Sequence, residues 1–341
     1  MHMADALISP AVGGVMMATT AGMAAYSIKK VQNDLDDKKV SMMGVMGAFV
    51  FAAQMINFSI PATGSSGHLG GGMLLAILLG PFAGFLTMAS VLLIQALFFG
   101  DGGLLAFGCN VINLGFYTCF ISYPLIYKWM TRKGLTSGRI FRASMVSAII
   151  GLQMGSFSVV LETLFSGKTE LPFSTFVLLM QPIHLGIGVV EGLITAAVVT
   201  FVWKARPEII ERAAIGDTIG GISIKKVIVV IIVATIIIGG FVSWFASSNP
   251  DGLEWSIERT AGTAELDASS SVHEAFANIQ SKTAFLPDYG FKLTSEDESG
   301  GNAGTSVSGI VGGVLTLGLA GLIGVIISIF KKKKQRITEQ Y

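Results

Sequence analysis

An all-α integral membrane protein is the fold class this chain predicts, and three observations carry it. Hydrophobic residues make up 52% of the 341 residues and charged residues only 13%, against about 25% charged in an average soluble domain. Mean hydropathy is +0.68. Apolar stretches recur at 6–28, 40–58, 73–99, 103–127, 143–166, 175–203, 226–247 and 306–330, most with the ~20 residues a helix needs to cross a ~30 Å hydrocarbon layer. This excludes disorder and most soluble folds. A net charge of +1 leaves no basic surface for nucleic acid. The 42 glycines suit transmembrane helices that pack closely, and no internal repeat is found.

Each element follows from charge and from breakers. Four basic clusters hold 19 of the 23 Lys and Arg: Lys29 to Lys39, Lys128 to Arg142, Lys204 to Lys226, and Lys331 to Arg336. Positive loops stay inside. All four clusters face the cytoplasm only if 73–99 crosses an even number of times or re-enters. Gly80-Pro81 supplies the break, because proline interrupts a helix and removes a donor. The reading is therefore a short helix at about 69–80, ~18 Å long, and a second at 82–99. The N-terminus then lies outside and the C-terminus inside a cell (inner) membrane crossed several times. The expected division is a membrane domain at 1–205, a cytoplasmic linker at 206–225, and a two-span module at 226–341. The outer loop of that module, 248–305, carries ten acidic and three basic residues. Residues 1–28 lack a basic n-region, so a secretory signal peptide is not expected, and Met1 is expected to start the mature chain.

Four histidines are present: His2, His68, His184 and His273. A free amine at Met1, the amide nitrogen of His2 and its imidazole can chelate one cation through successive rings, with the three nitrogens nearly in a plane. A fourth nitrogen would complete a square N4 site, the geometry that favours Ni(II) or Cu(II). A solvated histidine beside the start would look the same. The loop 61–72, PATGSSGHLGGG, brings His68 to the same outer side. Its small residues allow close backbone approach, and Ser65 and Ser66 can orient an imidazole. A local helix-start role for His68 stays open on the residues alone.

The resemblance is more specific. Met1 to Pro10 (MHMADALISP), the run Gly64 to Gly72 (GSSGHLGGG), Ile77 to Pro81 (ILLGP) and Gln95 to Gly103 (QALFFGDGG) resemble the CbiM/NikM family. These are the cobalt- and nickel-binding substrate components of energy-coupling-factor ABC transporters. Pro250 to Trp255 (PDGLEW) resembles the signature of the PDGLE (NikN/CbiN-like) two-span subunit, here fused to the binding component. The resemblance implies an S-component-like bundle of about seven helical segments, one of them short or re-entrant. A C-terminal two-helix membrane hairpin with an extracytoplasmic loop follows. It implies Ni(II) or Co(II) as transported substrate, held by Met1, His2 and His68. It also implies a transmembrane coupling subunit (CbiQ/NikQ-like) and two ATPase subunits (CbiO/NikO-like) as partners in the bilayer. The auxiliary module is implied to help load the metal.

Other polar residues are candidates for orienting the site or coupling it to partners. Glu191 lies within an apolar helix seven residues after His184, on the same face, and an intramembrane carboxylate is a functional candidate. Gln54 and Asn57, with Gln95, Asn110, Asn113, Gln153 and Gln181, are candidates for bonding such a carboxylate or holding the loop. Glu162 reads as solvated near a helix end, Asp101 as a turn residue, and His273 as incidental. The acidic outer loop reads as solvation first and cation attraction second. Gly44, Ala48 and Ala52 form a small-residue ladder and a candidate docking face for the coupling subunit. Gly14, Ala18 and Gly22 form another. Cys109 and Cys119, ten residues apart on one helix and so ~15 Å distant along it, are not expected to pair. The 15 methionines raise a Cu(I) reading, but Met16-Met17 and Met42-Met43 face two directions and form no ligand stripe. No GxxxxGK[ST] run, HExxH or dinucleotide fingerprint is present, so the chain is expected to be no enzyme and to draw on partner ATPases. Two rivals remain: a self-sufficient secondary divalent-metal transporter, and a metal-sensing membrane module that works through the acidic loop. Deleting 248–305 separates the latter, which would lose its metal.

Overall fold

The computed structural model describes residues 2–263, 266–268, 270–291 and 301–338. Met1 and residues 292–300 of the expected outer loop lie outside the described residues. The chain folds as helices α1 (Pro10–Val31), α2 (Asp37–Gln54), α3 (Gly72–Leu79) and α4 (Pro81–Phe99). They are followed by α5 (Phe107–Thr131), α6 (Ser137–Phe165), α7 (Phe173–Ala205) and α8 (Pro207–Ile215). The module contributes α9 (Lys225–Gly240), α10 (Gly252–Ala261), α11 (Ser271–Thr283) and α12 (Gly301–Thr338). Among the described residues, α1, α4, α5, α6, α7 and α12 are long and apolar enough to cross a membrane. The chain is thus an all-α integral membrane protein.

Helix ends follow local chemistry. Ser9 caps α1, accepting the Val12 N–H at 3.3 Å, with Pro10 in the first turn. Asp36 caps α2 through the Lys39 N–H at 2.7 Å. Such caps satisfy donors that a helix start leaves open. Between α3 and α4 the chain turns at Gly80, whose φ of 84° suits glycine alone, and Pro81 starts the next helix. The expected break therefore exists. Helix α3 is shorter than expected, eight residues, about 12 Å, because Leu69 to Gly71 stay outside the helix, with Gly71 left-handed, and the Gly70 and Gly71 amides go to another partner. Every residue of α3 is buried, so it lies inside the bundle. A Cβ on Gly72 would stand 2.2 Å from the Leu114 carbonyl oxygen of α5, a contact no other residue type could make. One feature departs from all-helix. Phe58–Ile60 (β1) pairs antiparallel with Ser65–Gly67 (β2), Phe58 opposite Gly67.

The C-terminal module is not a separate pair of spans. Helix α12 runs along α2 and crosses α9, where a Cβ on Gly309 would sit 2.3 Å from the Gly239 carbonyl oxygen. The ladder Gly44, Ala48 and Ala52 is covered by α12: a Cβ on Gly44 would lie 2.9 Å from the Leu317 carbonyl oxygen, and Gly313 lies over Ala48. The face expected to be open for a coupling subunit is therefore used within the chain. A tethered helix occupies a matching groove at high effective concentration, which explains why a fused module takes it.

Candidate metal site

The N-terminal segment is threaded into the bundle instead of trailing from it. Met3 is fully buried. Its N–H donates to Asn110 Oδ1 at 2.8 Å, and its carbonyl accepts from Asn110 Nδ2 at 3.1 Å and from the Gly103 N–H at 2.8 Å. Asp5 accepts the Ala106 N–H at 2.9 Å. A Cβ on Gly103 would fall 1.8 Å from Asp5 Oδ1, so this turn admits only glycine. These contacts set His2 one residue outside a pinned backbone. Replacing Asn110 with Ala removes both side-chain bonds at Met3. We expect a roughly tenfold loss of metal affinity from the unsatisfied Met3 amide, read by titration of the purified chain. Unchanged affinity would mean that Gly103 alone holds the segment.

His2 and His68 meet as expected. Their rings stack with centroids 4.9 Å apart and planes 14° apart, and the His2 side chain is only 5% exposed. His68 Nδ1–H donates to the Leu69 carbonyl at 3.1 Å, a bond that fixes the tautomer and leaves Nε2 its lone pair. Burial pushes the His68 imidazole down to about 3, so it stays neutral, the ligating form, at every physiological pH.

The His68 loop is held from beneath. Glu191 accepts the Gly70 N–H at 2.9 Å and the Gly71 N–H at 3.1 Å, so its carboxylate orients the loop directly. Gln54 donates to the Gly70 carbonyl at 2.9 Å, and Gln95 donates to Gln54 at 2.9 Å. His184 shares the face of Glu191 but has another job: it bonds the Met180 carbonyl at 2.7 Å and packs beneath Gly252. Asn57 contributes its carbonyl to the Ser247 N–H at 2.7 Å. Ser65 bonds Thr63 within the turn. Ser66, expected to orient an imidazole, instead receives the module: its N–H donates to the Pro250 carbonyl and its hydroxyl to the Asn249 carbonyl, both at 2.8 Å.

That contact places the PDGLE run on the site. Asp251 caps α10 through the Leu253 and Glu254 N–H groups at 2.7 and 2.9 Å, and Glu254 returns to the Asp251 N–H at 3.0 Å, a reciprocal capping box. The other Asp251 oxygen lies 3.8 Å from His68 Nε2. A cavity of about 540 Å³ opens here, lined by His2, His68, Asp101, Asp251 and Glu254 among others. Three residues read as peripheral turn out to be built in. His273 is buried and its Nε2 lies 3.1 Å from the Asp5 carbonyl oxygen and 2.9 Å from that of Ile8, so α11 clamps the N-terminal turn. Asp101 pairs with His2, Oδ1 to Nδ1 at 2.8 Å; burial would raise its carboxyl, but the adjacent His2 holds it below the usual carboxylate range. Glu162 is buried, not solvated, accepting from Asn113 Nδ2 at 2.8 Å and the Ser158 hydroxyl at 3.2 Å. Sequence offered no sign of the first two, since their partners lie 268 and 99 residues away along the chain.

Among the described residues, no three His, Cys, Asp or Glu side chains converge to hold a metal ion. His2 and His68 are the two imidazoles that lie side by side there. The two cysteines are buried and free, as expected.

Comparison with known proteins agrees with this architecture. Residues 2–209 match the family described as the cobalt uptake substrate-specific transmembrane region, CbiM, and residues 225–329 match the PDGLE domain. A putative fused nickel transport protein NikMN of Archaeoglobus fulgidus is 32% identical over 94% of this chain and 96% of its own length. A probable fused nickel transport protein LarMN of Lactiplantibacillus plantarum is 32% identical over 61% of this chain and 66% of its own. A truncated transition metal transporter of known crystal structure superposes with a TM-score of 0.54 at 30% identity, covering 60% of this chain and 99% of that one. Fold and family together define a multi-pass membrane protein of the metal-transport class. The chain belongs to the CbiM family and carries a C-terminal PDGLE domain.

Proposed function

We propose that this chain is the substrate-binding component of an energy-coupling-factor ABC transporter, and that it takes up Ni(II) or Co(II) from outside the cell. The observation that carries the reading is the stacked pair of buried imidazoles, His2 and His68, beside the pinned Met3 backbone. The ion is held in a square N4 set: the Met1 amine, the His2 amide and ring nitrogens, and the His68 ring. The carboxylate-lined cavity draws the cation in electrostatically. The PDGLE module, seated on Ser66 and beside His68, assists loading. A transmembrane coupling subunit and two ATPases then drive inward release, with the cytoplasmic side set by the basic clusters. The cargo leaves when rearrangement breaks the flat donor set or its ligands take up protons.

The test is titration of the purified chain with Ni(II) and Co(II), followed by absorbance and calorimetry. We expect one ion per chain with the spectrum of a square-planar Ni(II) centre. An octahedral spectrum, or several weak sites, would move the metal to the carboxylates and overturn the reading. The secondary-transporter rival finds less support. It calls for paired broken helices in related halves, and the described chain has one such break, at Gly80-Pro81.

A further inference from the structure

Where α5 turns into α6 a second cavity opens, of about 270 Å³, lined by Trp129, Met130, Arg132, Lys133, Arg139 and Arg142. Four cations share this one concave site. No Asp or Glu occurs in the chain between Asp101 and Glu162, and among the described residues none of the four forms an ion pair. Other basic residues at this end of the bundle are taken up by the chain itself. Lys39 pairs with Asp34, and Lys38 donates to the Gly220 and Ile222 carbonyls. Lys128 donates to the Ala214 carbonyl of α8, and Arg212 donates to the Thr218 carbonyl and pairs with Asp217. Like charges gathered in one pocket repel, and an anion seated among them relieves that cost.

The cations are held in place. Arg139 Nη1 donates to the Lys133 and Gly134 carbonyls at 2.7 and 3.0 Å, so the loop closes over its guanidinium. These bonds occupy two of the five N–H donors of the group. The Arg132 guanidinium lies over the Trp129 ring, 5.3 Å from its centroid, and Arg142 Nε donates to the Gly138 carbonyl at 3.2 Å. Guanidinium forks meet phosphate oxygens in pairs, where an ammonium offers only a point charge.

The flank of the pocket is apolar. Helices α5 and α6 are both long and apolar enough to cross a membrane, so the loop between them lies at a membrane surface. Trp129 is 59% exposed, and about one turn deeper Leu125 is 67% exposed. Val146 and Ile150, exposed as well, continue the Arg142 face of α6 into the membrane. An exposed indole at a helix end above exposed aliphatic side chains marks the headgroup level, and basic pockets between helices there suit anionic lipid headgroups.

We propose that this pocket binds the phosphate of an anionic phospholipid headgroup, with the acyl chains lying along Leu125 and Val146. The proposal stands apart from the metal site. A soluble phosphate shares the charge of the headgroup but has no chains to cover the apolar flank.

Native mass spectrometry of the full chain, released from detergent micelles supplied with phosphatidylglycerol or phosphatidylcholine, tests this. We expect one phosphatidylglycerol to be retained, with about a tenfold preference over phosphatidylcholine. Arg132→Gln combined with Arg142→Gln removes two forks and spares the Arg139 bonds that hold the loop. Retention should fall about tenfold or more. Arg132→Lys combined with Arg142→Lys keeps the charge and should lose only part of the retention. Lys204→Gln combined with Lys225→Gln removes equal charge outside the pocket and should change nothing. Equal loss in the two glutamine pairs would overturn the proposal, because the lipid would then answer only to net charge. Inorganic phosphate that displaces the lipid at equal concentration would assign the pocket to a soluble phosphate and overturn the lipid source. A wild-type chain without preference for the anionic lipid would overturn it too, and would leave the four cations to an acidic face of a partner protein.

Discussion

Two extra residues ahead of Met1 are expected to abolish tight Ni(II) binding while leaving the fold intact. The extension converts the terminal amine into an amide. It thereby removes the donor that opens the first chelate ring and the free rotation that lets the ring close. No slack exists to compensate. Met3 is fixed by Asn110 on both its N–H and its carbonyl, and the next turn is held by Gly103, Ala106 and His273. A shifted segment cannot slide another nitrogen into register. We expect an affinity loss on the order of 1,000-fold, about 4 kcal/mol, with the square-planar spectrum lost and the thermal midpoint of the metal-free chain unchanged. Calorimetry and absorbance on the extended and native chains measure this. Binding indifferent to the extension would assign the ion to the carboxylates of the cavity and remove the N4 centre. Loss of binding together with loss of fold would instead show that the N-terminal segment tolerates no addition, and His2→Ala then isolates the metal effect.

The second large effect is at Glu191. Its carboxylate takes the amides of Gly70 and Gly71, two donors in the buried interior, and the loop they hold presents His68 two residues earlier. Glu191→Ala leaves both amides unsatisfied, at about 1–3 kcal/mol each, and opens a void behind Gly70. A Cβ on Gly70 would come within 2.7 Å of Glu191 Oε2, which shows how closely loop and carboxylate are fitted. We expect the thermal midpoint to fall and Ni(II) affinity to drop roughly 10–100-fold, the range seen when partners that orient a ligand are removed. Glu191→Gln retains one acceptor, so it should recover part of both. A Glu191→Ala chain with wild-type affinity would mean that Gln54, through the Gly70 carbonyl, suffices to hold the loop.

Much of the bundle was readable from the chain. Hydropathy located the long apolar helices, although those over 40–58 and 226–247 fall short of the length or apolarity of a span, and the Gly80-Pro81 pair located the break. The length of α3 is not legible in the sequence, because the amides of Gly70 and Gly71 go to Glu191, more than a hundred residues away. The hairpin of β1 and β2 was not foreseen, since three-residue strands carry too little periodicity to register. The small residues Gly44, Ala48 and Ala52 mark α2 as a close-packing face, but they announce a near neighbour without naming it, and in the structure that neighbour is α12.

The site divides along the same line. Sequence by itself points to the proposed donor set: a histidine at position 2 can chelate with the backbone beside it, and a Gly- and Ser-rich loop can bring His68 close enough to join. Both are local properties of bonding and chain flexibility, written in neighbouring residues. Tertiary structure alone decided what surrounds those donors. Asp101 on the His2 ring, Tyr289 on Asp101, His273 on the N-terminal turn and Asp251 beside His68 are contacts between segments far apart in the chain. Each uses a polar residue that in a loop would otherwise be satisfied by water. Only burial, which removes that water and obliges every polar group to find a partner, turns such a residue from a solvated one into part of the site.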